Sequence, residues 1–263
     1  MPTGESREPA GSDGPSAAGG GAGVARDAAT PVTAPAVEPA VDSTFDPAAW
    51  RSPLAWVTML GVFACGLALD LWSKAWAFAT IAGYPVELER SRILGDGSFF
   101  VPHHPRVAAL PWDLLDFRLV LNHGAVFGIG QHRRGLFIAF TILATVAAVA
   151  LFARGTRARM RASHVAIGMI LAGGLGNLYD RIEFGAVRDF LHMLPDWQLP
   201  NGWKWPGNQT GDVFPWVFNI ADVLLLAGMA LFVIASWIEE RRVSRAQALR
   251  AASSQEPDPP PAA

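Results

Sequence analysis

Four apolar stretches punctuate the chain. The first covers residues 54–79 and is broken only by Thr58, Asp70, Ser73 and Lys74. The second, 136–153, holds no charged residue, and the third, 164–179, is short and rich in glycine. The fourth, 216–238, carries Asn219 and Asp222 near its start. A helix needs roughly 20 residues to cross a hydrocarbon core of about 30 Å. Three stretches suit that length, and the third reaches it by borrowing residues at its ends. The pattern predicts an all-α polytopic membrane protein with four transmembrane helices.

Polar segments between the stretches add a second kind of structure. Val86-Glu-Leu-Glu89 alternates, Phe99-Phe-Val101 is a short apolar run, and Phe117-Arg-Leu-Val-Leu121 is rich in β-formers. These predict a small extracytoplasmic β-sheet resting on the outer membrane face. The connection 195–215 is rich in Trp, Pro and Gly. Its Trp197, Trp203 and Trp205, with Trp216 just beyond, suit the headgroup level, and anchoring is the preferred reading over substrate binding.

Arginine placement sets the orientation. Arg154, Arg157, Arg159 and Arg161 follow the second stretch, and Arg241, Arg242, Arg245 and Arg250 follow the fourth. Basic residues concentrated in short segments beside membrane ends mark the cytoplasmic side. Both termini are therefore expected in the cytoplasm, with the connections 80–134 and 180–213 outside.

Composition defines what flanks the membrane part. Residues 1–50 are rich in Ala, Gly, Pro and Ser, with acidic residues outnumbering Arg7 and Arg26. Such a segment buries too little apolar surface to offset its ordering entropy, so it is expected to be a disordered tail. It lacks the basic start and hydrophobic run of a signal peptide. The expected organisation is a tail over 1–50, a membrane-embedded domain over 51–240, and a disordered cytoplasmic tail over 241–263.

Charge and cysteine usage narrow the function. Hydrophobic residues make up 51% and charged residues only 17%, which together with the uncharged runs argues for a membrane chain. A net charge of −2 and no basic cluster on a folded segment predict no nucleic-acid partner. Cys65 is the sole cysteine, so no internal disulfide and no Cys-based zinc site can form. No His-Glu-x-x-His helix occurs, and no Gly-x-Ser-x-Gly, which argues against a zinc peptidase and an elbow-type serine hydrolase. No cofactor and no metal are expected.

Ionisable groups at membrane depth are costly and call for a reason. Here they cluster after the third stretch and at the start of the fourth. Asn177 and Asp180 stand at i,i+3, as do Asn219 and Asp222, which on a helix puts each amide and carboxylate on one face. The orientation above brings Asp180, Asp189 and Asp222 to the same outer side. Two carboxylates facing each other across a water can hydrolyse a peptide bond, because they cannot easily both ionise and one keeps a proton. Spacing alone does not choose between Asp180 and Asp189.

The motifs around these residues resemble a known family, the bacterial lipoprotein signal peptidases. Gly174-Leu-Gly-Asn-Leu-Tyr-Asp-Arg181, followed by Gly185, Val187, Asp189 and Phe190, looks like their most characteristic stretch. Phe218-Asn-Ile-Ala-Asp222 looks like their final block. Asn122-His-Gly-Ala-Val-Phe-Gly128 and Asp70-Leu-Trp-Ser-Lys74 match two further blocks. The resemblance spans residues 54–238. It implies an aspartyl endopeptidase with Asp189 and Asp222 as the catalytic pair and Asn122, Gly124, Asn177, Asp180, Arg181, Asn219 and Ala221 in supporting or substrate-binding positions. The implied partners are membrane lipid and prolipoproteins whose cysteine carries a diacylglyceryl group, cut just before that cysteine. The implied location is the bacterial inner membrane, with the active site near the outer face. Residues 103–116 and 195–215 look longer than in typical members.

Plainer roles compete at several positions. Asp70 and Lys74, at i,i+4, are expected to pair and lower each other's burial cost. Gly168, Ala172 and Gly176 predict close helix packing. Val62-Phe-Ala-Cys65 loosely resembles the sequence this family cuts in its substrates, but a buried helical cysteine is the expected reading. An ion-relay transporter using Asp70, Lys74 and Asp222 would call for broken helices and internal duplication, and neither is visible. A catalytically dead adaptor would not need both aspartates.

Overall fold

The computed structural model describes residues 46–95, 99, 101–124, 134–206 and 210–253. The expected tail over 1–50 falls almost wholly outside them, as do Phe100 and the stretch 125–128 of the Asn122 block.

Four long helices form the frame. α1 runs Pro53–Thr80, opened by the Ser52 side chain accepting from the Ala55 N–H at 3.3 Å and by Pro53 in the first turn. A short α2 (Arg90–Leu94) lies in the connection after α1. α3 covers Arg134–Ala150 and widens into a π-helical turn, Leu151–Gly155. α4 spans Arg161–Glu183, and α5 spans Ile220–Ser253. Among the described residues, three helical segments are long and apolar enough to cross a membrane: Pro53–Thr80, Arg134–Gly155 and Ile220–Ala252. α4, at 23 residues and roughly 34 Å, has the length but trades apolar residues for glycines and polar groups.

The bundle turns apolar side chains outward while burying charge within it. On α1, Leu54, Val57, Leu60, Leu69 and Trp72 are exposed while Asp70, Ser73 and Lys74 are buried. Apolar side chains outside and polar ones inside is the arrangement a lipid solvent selects. α4 packs against α1, α3 and α5. A Cβ at Gly168 would press on the Met59 carbonyl and on Val62, and one at Gly176 would occupy the space of the Asp70 carboxylate. The small-residue stripe thus serves packing and also makes room for a charge.

A four-stranded antiparallel sheet, in the order β1-β2-β3-β4, lies against the bundle. Its strands are Val107–Leu110, Leu115–Asn122, Val187–Met193 and Val217–Phe218. Leu119, Phe190 and Leu191 pack with Ala77, Phe78 and Ile81 at the end of α1. The expected strand at 117–121 is part of β2, whereas Val86–Glu89 forms no strand. β3 was not anticipated: six of its seven residues are buried, so it shows no alternation.

Two boundaries differ from expectation. The fourth apolar stretch does not start as helix at Trp216; Val217 and Phe218 pair with His192 and Leu191 as β4, and α5 begins at Ile220. At the other end, helix continues through Arg241 to Ser253, where an unstructured tail was expected from 241. Ala, Arg, Gln and Glu dominate Glu239–Ala252, and these are strong helix formers.

Candidate active site

The site is assembled where the C-terminal ends of α1 and α4 and the N-terminal end of α5 meet β2 and β3. Register places Asp189 on β3 directly opposite Val120, and Val187 opposite Asn122. Asp189 is buried, with 1% of its surface exposed. Its Oδ2 accepts from Asn122 Nδ2 at 3.0 Å, and its Oδ1 accepts from Asn219 Nδ2 at 2.6 Å. The Oδ1 of Asn122 accepts from the Gly124 N–H at 3.0 Å, so the turn after β2 orients the amide that meets Asp189.

Asp222 reaches the same place from α5. Its Oδ1 accepts from Asn177 Nδ2 at 2.9 Å and its Oδ2 from the Asn219 N–H at 3.1 Å. In return, Asn219 Oδ1 accepts from the Asp222 N–H at 3.2 Å. This is a reciprocal capping box, with Asn219 just outside the helix and Asp222 three residues on. The i,i+3 spacing therefore marks a cap, where it had been read as one face of a helix. Asn177 and Asp180 do share a face on α4, and both are met by Lys74.

Lys74 is the hub beneath the two carboxylates. Fully buried, it lies 2.8 Å from Asp70 and 3.4 Å from Asp180, and donates to Asn177 Oδ1 at 2.9 Å. Asp70 also accepts from the Ala221 N–H at 2.8 Å, tying α1 to the first turn of α5. The expected Asp70–Lys74 pair is present, and it reaches further than pairing. Its link to the site had one signal in the sequence: Lys74 is the only lysine inside an apolar stretch.

Asp180 is placed differently from Asp189. Both of its oxygens are occupied: Oδ1 by Arg188 Nε and Nη2 at 3.2 and 2.8 Å, Oδ2 by the Arg188 N–H at 3.0 Å and by Lys74. Arg188 adjoins Asp189 in the sequence but does not face it. It turns instead to Asp180 and stacks over Phe184, because adjacent strand residues point to opposite faces. Burial, then the Asp222 charge, push Asp189 up to about 8, against the lowering effect of Asn122, Asn219 and Lys74.

A cavity of about 780 Å³ opens onto this arrangement. Asp189, Asp222, Asn122, Gly124, Asn177 and Arg181 line it, and Asp180 does not. Arg181 donates to the carbonyls of Gly124 at 3.1 Å and Asn177 at 3.2 Å, bracing the cavity wall. All nine residues singled out in the sequence gather here, with Asn219, Ala221 and Asp180 behind the wall. Arg118, Phe214 and Trp216 also line it and were not anticipated. Trp216 was assigned to anchoring alone, yet it faces the cavity and packs on Trp205 and Phe214. Among the described residues, no three His, Cys, Asp or Glu side chains converge as metal ligands.

Comparison with known proteins decides the family. The family model for signal peptidase (SPase) II matches residues 62–238, well over half of the chain. The chain belongs to the signal peptidase II family. Its members are peptidases of lipoprotein processing. A lipoprotein signal peptidase from Methylobacterium radiotolerans is 33% identical over 151 residues, covering 55% of this chain and 78% of that protein. One from Rhodopirellula baltica is 31% identical over 188 residues, covering 67% and 70%. A bacterial membrane enzyme solved in meso at 2.3 Å is 25% identical, covers 77% of this chain and 93% of its own, and superposes with a TM-score of 0.48.

Proposed function

We propose that this chain is an aspartyl endopeptidase that removes the signal peptide from diacylglyceryl-modified prolipoproteins, with Asp189 and Asp222 as its catalytic pair. One observation carries the reading: both carboxylates line a single cavity and are held by one residue, Asn219. The likeness to lipoprotein signal peptidases supports the substrate class; the cut falls just before the modified cysteine. Asp180, with both oxygens committed to Arg188 and Lys74, has no capacity left for a proton-transfer role.

The two carboxylates divide the work by their surroundings. Asp189, raised to about 8, keeps its proton at neutral pH and donates it to the oxygen of the scissile carbonyl. The Asp222 carboxylate takes a proton from the attacking water. The new C–O bond forms as the carbonyl π pair moves to oxygen, giving a tetrahedral gem-diol. When the C–N bond breaks, the electron pair leaves with nitrogen. Asp222 returns its proton to that amine, while a hydroxyl proton returns to Asp189 as the acid product forms. Asn122, Asn177 and Asn219 hold the oxygens in place through each transfer.

In the membrane, four helices cross, with both termini cytoplasmic and the sheet on the outer face of the inner membrane. Eight arginines beside the inner ends of α3, α4 and α5 support that orientation. The test is incubation of purified protein with a diacylglyceryl-modified prolipoprotein. A shortened product beginning at the lipidated cysteine is expected, and its absence contradicts the reading.

A further inference from the structure

Cavities, buried charges and bulges outside the catalytic pair converge on one residue, Arg118. The strand register jumps there. Phe117 pairs with Leu191 and Val120 with Asp189, so Arg118 and Leu119 together face the single residue Phe190. This is a β-bulge, a device that re-aims a side chain and often borders an active site. The strand pays no orphan donor for it: the Leu119 N–H finds His104 Nε2 at 3.2 Å, and His104 Nδ1 lies 2.8 Å from the Pro105 carbonyl.

The re-aimed side chain stands between two cavities. The first is the 780 Å³ catalytic cavity; the second, of about 530 Å³, lies over the outer connection and is lined by no residue of the four long helices. Arg118 and Val120 line both. The first cavity continues on its other side along Val223, Leu226 and Ala227 of α5, the apolar direction. A substrate tethered to the membrane on that side, and leaving toward water on the other, runs from the first cavity into the second.

Charge then says what is read there. Among the described residues no carboxylate pairs with Arg118, whose side chain is exposed. The other guanidinium of the second cavity, Arg106, is bound to Asp113, Asp116 and Asp196. Asp113 and Asp196 are themselves exposed, where water and salt screen them. Resting on the peptidase reading above, we propose that Arg118 is a specificity-determining residue that recognises an acidic side chain in the mature part of the substrate. Val120 lies opposite Asp189, and Arg118 is two residues along the strand, roughly 7 Å away. That distance matches the second or third residue after the cut in an extended substrate.

The experiment uses diacylglyceryl-modified substrates differing only at one of the five positions that follow the cysteine, each with Asp, Asn or Lys. The wild-type protein should show a kcat/KM ratio, Asp over Asn, of about three- to fivefold at the first or second position after the cysteine, the second or third residue after the cut, on the scale of an exposed charge pair. Arg118→Gln should bring that ratio to one, and Arg118→Glu should invert it in favour of Lys, with the change carried by KM. Because Arg118 is exposed, neither substitution empties the core, and an unchanged melting temperature verifies the fold. A ratio of one in the wild type, or one insensitive to both substitutions, overturns the proposal while leaving the peptidase reading intact. Cleavage of none of the substrates by the wild type would sink both.

Discussion

The ammonium of Lys74 donates to the side-chain oxygen of Asn177 at 2.9 Å, and this turns the Asn177 amide nitrogen toward Asp222. A buried cation on α1 thereby orients a carboxylate on α5 through a side chain of α4. Lys74→Met keeps the bulk of the side chain but leaves Asp70 without its buried partner, at a cost of about 3–5 kcal/mol. The variant should melt well below the wild type and lose activity in the fraction that stays folded. A thermal melt and an assay of the folded fraction check both effects. Wild-type stability in Lys74→Met would remove Lys74 from the foundation of the site.

Asn219 does two things that a substitution can separate. It caps α5 through its side-chain oxygen, and it donates its amide to Asp189. Asn219→Ser keeps a good cap but not the reach of the amide, so stability should stay near wild type while kcat falls at least tenfold. Asn219→Ala loses both, costing about 1 kcal/mol of stability in addition. Denaturation and single-turnover rates measured on both variants distinguish the roles.

Much of this site was legible in the chain, and the gaps have physical causes. The helices stood out because lipid rewards long apolar runs, and the aspartates because a charge there is conspicuous. β3 was hidden: with Val187 to His192 buried on both faces, no period of two survives to be read. The role of Asn219 is ambiguous in the sequence because i,i+3 spacing describes a capping box as well as a helical face. The contrast between Asp180 and Asp189 was beyond spacing altogether, since it depends on which carboxylate Arg188 turns toward.

The pH dependence follows from the raised pKa of Asp189. A raised carboxyl is protonated below its folded value, so the acid is available at neutral pH and is lost as pH rises through about 8. Activity should fall on that alkaline side. Removing the Asp222 charge in Asp222→Asn should lower the Asp189 pKa without restoring an ordinary value, because burial is the larger cause. Infrared titration of the protonated carboxyl in that variant measures the shift.

Orientation is open to a direct check. A periplasm-active reporter fused after Arg161, at the start of α4, should be silent, and one inserted after Gly202 in the outer connection should be active. Activity at Arg161 with silence at Gly202 would reverse the assignment of sides.

The most direct test of the catalytic pair is product formation under single-turnover conditions by folded, membrane-inserted Asp189→Asn, Asp222→Asn and the double variant. Asn preserves shape but cannot exchange the proton. Each single variant should lose activity by about four orders of magnitude, and the double variant should be no worse, because the two groups act as a unit. Asp180→Asn should lose stability, with its ties to Arg188 and Lys74 weakened, while its folded fraction retains cleavage. Substantial cleavage by Asp189→Asn, alongside a folded but inactive Asp180→Asn, would contradict the account.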